Sequence, residues 1–424
     1  MSQKSNFLNA PSTLAWLAQF DQEDQELAGR LLKSIKLVSR NAFISRLRSL
    51  ILERLGNGNQ PVGLYVEREI ELIDKSPVKL FAESDGPPFR AHGPGPSPIF
   101  PIRGADVGSE GIVTQLISEL CRLNPDRFYN HPGPDIIRKF KIRRLMLVTD
   151  FIGSGHRAKT YLEAAWKVGS VKSWWSARRT KGLTFEVVAY SATPEGQQIV
   201  QAHPSGPVVS IVSACPTIAT KFGRTNALRI KKLCVKMDPV RPDWNASMGY
   251  AGGGALIAFA HGIPNNAPRL LYKRGKPSKG WIPLFPQRIT SETREQWDDD
   301  DSNVDAIRLQ LENMRQLRLS AGDWLTTASP EARVIFTVMA ALSTPPRNDE
   351  HLSRKTGLAI AEVQSAISSA LANGWIDGAR HLTDTGYGEL NRARQSSTTK
   401  QISFLVQEHL YHPRSLRAPI GTSS

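Results

Sequence analysis

The residues best suited to chemistry follow an apolar run, Leu145 to Val148, that has the composition of a buried strand. Thr149 and Asp150 come directly after it, then the turn Gly153-Ser154-Gly155 and a helical pattern from Arg157. Glycines let backbone amides approach an anion, and a helix N-terminus adds partial positive charge. The pattern predicts a phosphate-binding turn beside an acid that reaches a sugar hydroxyl or a metal-bound water. The alternative is a βα turn that carries glycines without a ligand.

A second strand, glycine-rich turn and helix precede this stretch, between Pro98 and Leu123. Here Arg103 can pair with a phosphate oxygen, and Gly108 and Ser109 can offer donors at a helix N-terminus. An acid such as Glu110 is also favoured in the first turn of any helix, because the positive end of the helix dipole lies there. The unit therefore predicts a second anion site, with an ordinary helix start as the alternative.

Further hydrogen-bonding groups follow a glycine run at 249–254 and an apolar strand pattern at 255–260. His261, Asn265 and Asn266 come after this strand, at the edge where ligands bind in open α/β sheets. They could contact a nucleobase or a sugar. The same residue types are common in turns that bind nothing.

The elements that must position these groups alternate between strands and helices. Strand patterns at 62–73, 184–192 and 207–214 are separated by helical patterns such as 157–167 and 194–202. This rhythm predicts an α/β fold with a mostly parallel sheet and helices on both faces. Residues 13–56 are helical in period and are expected to cover one side of the sheet.

The whole chain is strongly basic, with 424 residues and a formal net charge of +15. Its length allows two or three domains, and its charge predicts contact with a polyanion, nucleic acid before membrane. A merely basic surface is the alternative. No apolar run approaches the roughly 20 residues that span a bilayer, and no signal-peptide core is present. Three widely spaced cysteines indicate neither a disulfide framework nor a metal site, so the chain is expected to be cytoplasmic.

The central stretch resembles the ribose-phosphate loop of type I phosphoribosyltransferases, in which a hydrophobic strand leads into two acids and a small-residue turn. The resemblance implies that Thr149 and Asp150 occupy the catalytic acid pair. It also implies a phosphate cradle made of Gly153, Ser154, Gly155, His156 and Arg157. Thr149 departs from the pattern because the family has an acid there, which puts full transferase chemistry in question.

Six motifs taken in order over about residues 13–290 resemble the phosphoribosyltransferase-like proteins of bacterial conflict and anti-phage systems, some of them retron-associated. The motifs begin at Trp16, Tyr65, Gly108, Val148, His261 and Trp281. The resemblance implies that Arg103, Gly108, Ser109 and Glu110 form a pyrophosphate loop, and that Mg²⁺ bridges the substrate pyrophosphate. It also implies that His261, Asn265 and Asn266 lie on the side of the site that binds the base or in the hood that covers it.

The last organised segment, 330–390, has a winged-helix pattern of three helices, a strand, a short wing and a final helix. Its third helix, 359–372, would be the recognition helix, although it carries no Lys or Arg on its exposed face. A protein-contact or dimerisation role is therefore as plausible as nucleic-acid binding. The candidate nucleic-acid contacts are Arg354, Lys355, Gln364, Ser365 and Arg380.

The predicted division of the chain has five parts. They are a helical part at 1–56, a phosphoribosyltransferase-like domain at 57–290, an acidic linker and helix at 291–325, a winged-helix domain at 326–395 and a basic tail at 396–424. The acidic run 298–301 is expected to be a solvated linker or helix start, since four consecutive acids point in different directions and make a poor metal site.

Two functions remain open on this reading. The first is a toxic effector or accessory protein of a retron-like anti-phage system, with a transferase or nucleotide N-glycosidase site that acts on phosphoribosyl compounds or nucleotides. The second is a ligand-sensing nucleic-acid-binding regulator with an inactive site, similar to bacterial purine-operon repressors. Expected partners are a phosphoribosyl or nucleotide ligand, structured DNA or an RNA–DNA hybrid, and a reverse transcriptase. No membrane contact is expected, and a homodimer is left open.

Overall fold

The computed structural model describes residues 7–56, 58, 60–87, 89–97, 109–180, 182–275, 280–286 and 304–395. The predicted acidic run 298–301 and basic tail 396–424 lie outside these residues. The strands in chain order are β1 Lys36–Val38, β2 Val62–Val66, β3 Leu72–Ile73, β4 Ser76–Pro77, β5 Ala82–Glu83, β6 Ala91–His92, β7 Phe128–Asn130, β8 Arg144–Ile152, β9 Thr184–Ala192, β10 Val208–Ala214 and β11 Ile257–Phe259.

The helices are named in the same way. In chain order they are α1 Pro11–Leu17, α2 Gln22–Lys33, α3 Arg40–Leu55, α4 Ser109–Leu123, α5 Pro134–Lys139, α6 His156–Trp166, α7 Gly169–Ser176, α8 Pro194–Gln201, α9 Ile218–Lys221, α10 Arg224–Lys236, α11 Val304–Asn313, α12 Leu317–Ser320, α13 Trp324–Thr327, α14 Pro330–Leu342, α15 Asp349–Thr356, α16 Ile360–Ala372 and α17 Asp384–Gln395.

Five parallel strands form the central sheet in the order β10-β9-β8-β2-β7. The middle strand, β8, shows why both faces are covered: Leu145 and Leu147 pack on the side of α6 and α7, and Met146 and Val148 pack on the side of α3 and α4. A strand buried on both faces is apolar toward both of them, as the run Leu145 to Val148 indicated. The predicted α/β sheet with flanking helices is confirmed.

One buried acid joins the sheet to a covering helix. Glu186 of β9 is 4% exposed and accepts hydrogen bonds from Arg144 Nε at 2.6 Å and from Arg54 Nη2 at 2.9 Å. Because two guanidinium groups satisfy the carboxylate, the ion pair is tolerated at the edge of the core. The contact attaches the end of α3 to β8 and β9.

Three parts of the predicted strand pattern are corrected. The N-terminal part is not wholly helical, because β1 interrupts it and pairs in parallel with β11 in a separate two-stranded sheet. The strand predicted at 255–260 is therefore outside the central sheet. Helical periodicity cannot reveal a three-residue strand whose hydrogen-bond partner lies more than 200 residues away. The strand predicted at 62–73 ends at Val66, and β3 pairs with β4 in an exposed hairpin.

The C-terminal part has the predicted winged-helix order. α14, α15 and α16 are followed by an antiparallel bridge between Ile376 and Leu382, which is the whole of the wing, and then by α17. Ser329 and Asn348 cap α14 and α15 by accepting backbone N–H bonds, and Gly357 ends α15 in the left-handed conformation. The predicted third helix, 359–372, begins at Ile360 in the structure and ends at Ala372.

The winged helix packs against the open edge of the sheet. Ser353 Oγ of α15 accepts a bond from the Ala214 N–H of β10, and Lys36 Nζ donates to the Gly357 carbonyl at 2.8 Å. Arg46 of α3 pairs with Glu362 of α16 at 2.9 Å. The Ser353 contact covers the carboxyl end of β10, an edge strand whose first residue, Val208, is 49% exposed.

Within the described part of the chain, no helix is both long and apolar enough to cross a membrane.

Candidate active site

A cleft of about 450 Å³ opens at the carboxyl ends of β2 and β8. This is the edge of a parallel sheet where ligands generally bind. Most described residues with a predicted ligand role line it. They are Ser109, Glu110, Asp150, Gly153, Ser154, Gly155, His156, Arg157, His261, Asn265 and Asn266. The sheet topology thus brings together three stretches that are far apart in the chain. The predicted Arg103 and Gly108 lie outside the described residues.

The turn after β8 is built for close contact. Gly155 has φ +75°, and a Cβ there would lie 2.5 Å from the carbonyl oxygen of Gly196 at the start of α8. A Cβ at Gly153 would lie 2.0 Å from Asn266 Oδ1. Only glycine fits both positions, so the turn sits tightly between α8 and the loop that carries Asn266. This packing fixes the N-terminus of α6.

The start of α6 supplies donors to the cleft. The first intrahelical bond runs from the Lys159 N–H to the Gly155 carbonyl, so the amides before it have no acceptor within the helix. His156, Arg157 and Ala158 line the cleft at this point. Amides without an acceptor in the helix and the positive end of the helix dipole suit a phosphate group, although the His156 N–H already donates to Ser154 Oγ at 3.4 Å. The geometry agrees with the predicted phosphate turn, whose ligand stays a prediction.

Two carboxylates and one hydroxyl form the floor of the cleft. Thr149 Oγ1 donates to Glu67 Oε2 at 2.5 Å and lies 3.3 Å from Asp150 Oδ1. Thr149 is 3% exposed, so it supports the neighbouring acids from below and does not face the cleft openly. Asp150 Oδ2 lies 3.3 Å from His261 Nε2 on its other side.

The two acids are held in different protonation states. Burial raises the pKa of Glu67 to about 7, against the opposing effects of the Arg157 charge and the Thr149 hydrogen bond. Burial also acts to raise the pKa of Asp150, but hydrogen bonds from His261 and Ser109 hold it below its usual range. At neutral pH, Asp150 is therefore ionised and Glu67 titrates.

Arg157 is engaged by acids. Its Nη2 donates to Glu110 Oε1, and its Nε lies 3.8 Å from Glu67 Oε1. Burial acts to lower the pKa of Arg157, but Glu67 and Glu110 outweigh it and raise that pKa. The guanidinium therefore screens the carboxylates at the cleft floor, and its predicted role in phosphate binding stays a prediction.

The base-side candidates have separate positions. His261 stacks on Phe259 with ring centroids 4.9 Å apart, while its Nε2 faces Asp150. Asn266 is 5% exposed and donates to the Tyr250 carbonyl at 3.0 Å, so it supports the loop and the turn. Asn265 is exposed at the rim. Of the three, His261 and Asn265 are the ones placed to meet a ligand.

Two polar lining residues, Glu67 and Tyr250, had not been assigned a role from the sequence. Glu67 follows β2, which is hydrogen-bonded directly to β8, so both strands end at the same edge. The cluster of charges at 67–69 was the available signal, and it was equally compatible with an exposed strand end. Tyr250 is 54% exposed on the rim, in a loop where Gly249, Ala251 and Gly252 all have positive φ.

The candidate nucleic-acid residues are mostly engaged within the winged helix. Gln364 donates to Asp349 Oδ2, and Arg380 donates to Asp349 Oδ1 at 2.6 Å. Lys355 Nζ donates to the carbonyl oxygens of Ala341 and Thr344 at the end of α14. Among the predicted set, Ser365 is exposed and Arg354 is half-buried. A nucleic acid would have to displace several of these bonds.

Two family models match the chain. One is described as PRTase-CE and matches residues 13–287. The other is described as a wHTH-PRTase associated domain and matches residues 336–418. None of the curated proteins matches. The two matches confirm the predicted resemblance to phosphoribosyltransferase-like proteins with a C-terminal winged helix.

The packing of the turn predicts that Gly155→Ala destabilises the protein by about 2 to 4 kcal/mol, because it combines backbone strain with a clash against the Gly196 carbonyl. Gly206→Ala is the matched control, since its φ is +58° but no atom lies within 4 Å of the new Cβ. It should cost only about 1 kcal/mol. Urea unfolding measures both values, and equal losses would contradict the packing argument.

Because Glu67 is buried, we expect the free energy of unfolding of wild type to depend on pH in a way that Glu67→Gln does not. Its folded-state pKa of about 7 exceeds the usual 4.5, so the folded chain binds more protons than the unfolded chain between these values. Stability due to this group is therefore present at low pH and lost as the pH rises through 7. Glu67→Gln should match wild type near pH 5 and exceed its free energy of unfolding by about 1 to 3 kcal/mol at pH 8.

Thr149→Val is the complementary variant for this titration. It removes a hydrogen bond that lowers the pKa of Glu67, so stability should fall more steeply with pH than in wild type. Urea unfolding at several pH values provides the comparison. A constant gap between wild type and Glu67→Gln at all pH values would rule out a buried, titrating carboxyl.

Proposed function

The chain belongs to the PRTase-CE family, and from the geometry of its cleft we propose that it binds a phosphoribosyl compound or nucleotide and cleaves the bond at the anomeric carbon of the ribose. One observation carries the proposal: ionised Asp150 lies at the end of β8 beside a glycine turn and a helix N-terminus. A phosphate on the turn would place an attached sugar over Asp150.

The chemistry suits these groups. Departure of a base or pyrophosphate leaves positive charge on the sugar, and a fixed carboxylate stabilises that charge in a site of low dielectric. The amides at the start of α6 orient the ligand through its phosphate. Asp150 accepts from the sugar hydroxyls, and His261 holds Asp150 in place. With water as the nucleophile the same arrangement makes a nucleotide N-glycosidase.

Magnesium fits this scheme as an ion that enters the cleft bound to the ligand. Carboxylate oxygens are suitable donors, but the acids at the cleft floor already have partners, and no group of three potential ligands occurs among the described residues. Mg²⁺ would therefore be held mainly by the pyrophosphate that it accompanies, and the negative charge of Asp150 would favour its approach. When bound, the ion neutralises charge on the leaving pyrophosphate.

In the cell, we propose a toxic effector of a bacterial anti-phage system that depletes or modifies nucleotides. The support is the ordered set of motifs that resembles conflict-system proteins, together with the family match over 13–287. A reverse transcriptase or structured nucleic acid that holds the chain inactive is part of the same proposal. The net charge of +15 suits such a polyanionic partner.

Asp150→Asn tests the enzymatic proposal. We expect release of base or pyrophosphate from nucleotides and phosphoribosyl diphosphate to fall by about 100-fold, because a neutral amide stabilises the sugar cation poorly. Chromatography of the products measures the rate. Asp135→Asn, on the exposed start of α5, is the control and should retain full activity. Full activity of Asp150→Asn, or unchanged nucleotide pools after induction of wild type, would contradict the proposal.

A ligand sensor is the second candidate, and a specific set of contacts favours it. Thr193 Oγ1 donates to the Gly153 carbonyl at 2.5 Å, which attaches the start of α8 to the glycine turn. On the same helix, Gln197 Nε2 donates to Glu350 Oε1 of α15 at 3.1 Å. A ligand that moves the turn would thus move a helix that contacts the winged helix.

This candidate predicts that ribose 5-phosphate changes the affinity of the protein for duplex DNA by about 5- to 100-fold, the usual range of coupling between sites. Gel shifts at low and moderate salt measure it, since phosphate contacts weaken with salt. Gln197→Ala should retain DNA binding and lose the response to the ligand. Absence of any shift at low salt would eliminate the sensor.

A further inference from the structure

Besides Asp150 and Glu110, a third carboxylate lines the cleft, and the sequence had not assigned it a role. Glu67 lies at the end of β2, and its N–H donates to the Val148 carbonyl of β8 at 2.9 Å. Its side chain is only 6% exposed, and it lines the cleft together with Asp150. A buried acid that faces a cleft costs stability, so its presence calls for a functional reason.

Thr149 is explained by this neighbour. Its hydroxyl lies 2.5 Å from a Glu67 oxygen and 3.3 Å from an Asp150 oxygen, and so holds the two carboxylates side by side. An acid at 149 would place three negative groups in contact, which like-charge repulsion disfavours. A small donor fits where an acid would not.

Resting on the proposed function, we infer that Glu67 supplies from β2 the carboxylate missing at Thr149, and that Glu67 and Asp150 together bind the two neighbouring hydroxyls of a ribose. Oε2 of Glu67 accepts the Thr149 hydrogen bond, Oε1 lies 3.8 Å from Arg157 Nε, and the residue lines the cleft. Two adjacent acceptors match a vicinal diol. The site therefore selects ribose 5-phosphates over 2-deoxyribose 5-phosphates.

The protonation of Glu67 makes the selection pH-dependent. The groups that act on it are Arg157 and Tyr161 of α6, Asp150 of β8 and Glu110 of α4. Burial dominates and brings the pKa of Glu67 to about 7. Only the ionised carboxylate has acceptor lone pairs on both oxygens without a proton, so that one oxygen accepts from Thr149 and the other from a sugar hydroxyl. The preference for ribose thus strengthens as the pH rises from 6 to 8.

Calorimetric titration with ribose 5-phosphate and 2-deoxyribose 5-phosphate at pH 8 tests the inference on three full-length chains. Wild type should prefer the ribose compound by about tenfold or more, the value of a hydrogen bond to a charged group. Glu67→Gln should lose this preference. The double variant Glu67→Gln/Thr149→Asp returns an acid to the other side of the pair and should restore it.

Inorganic phosphate is the reference ligand, because it needs only the glycine turn and α6. Equal phosphate affinity in all three chains, with loss and recovery of the ribose preference, supports the inference. An unchanged preference in Glu67→Gln overturns it, and so does a preference lost together with phosphate affinity, which would assign Glu67 to holding the turn. A wild type that binds phosphate but neither sugar phosphate would instead refute the proposed function.

Discussion

The structure depends on one close contact, in which the glycine turn after β8 packs without side chains against Gly196 and Asn266. Because no Cβ can enter, the turn fixes three elements at once: the N-terminus of α6, the start of α8 and the loop that carries Tyr250. The first positions donors for an anion, the second contacts the winged helix through Gln197, and the third forms the rim of the cleft. A single packing constraint thus connects the cleft, through α8, to the winged helix.

The acids beside this turn show how burial and charge divide two similar groups into different roles. Asp150 stays ionised because His261 and Ser109 donate to it. Glu67 is buried beside the cleft with one direct donor, Thr149, among the residues that the structure describes, and its pKa rises toward neutrality. Such a pair reduces the stability of the fold, as ligand sites commonly do. It provides one acceptor that is ionised at neutral pH and one that titrates there.

The winged helix has a structural role whatever it binds. It contacts the carboxyl end of β10, the edge strand of the sheet, through Ser353, and the ion pair of Arg46 with Glu362 joins it to α3. Three of its five candidate nucleic-acid residues are committed to internal bonds. Its helices are therefore placed where a movement of the α/β domain would displace them. They are less suited to inserting α16 into a DNA groove.

The sequence by itself determined the strand–turn–helix at β8, the alternation of the sheet and the winged-helix order, because these depend on local apolar periods, glycines and caps. It also identified Asp150 as a candidate site acid and Gly153-Ser154-Gly155 as a candidate phosphate-binding turn. Only the tertiary structure decided that β1 pairs with β11, and that Glu67 meets Thr149 from 82 residues away. Pairing between distant strands is set by packing across the fold and leaves no local pattern, so the residue that replaces the missing acid could be seen only once β2 and β8 lay side by side.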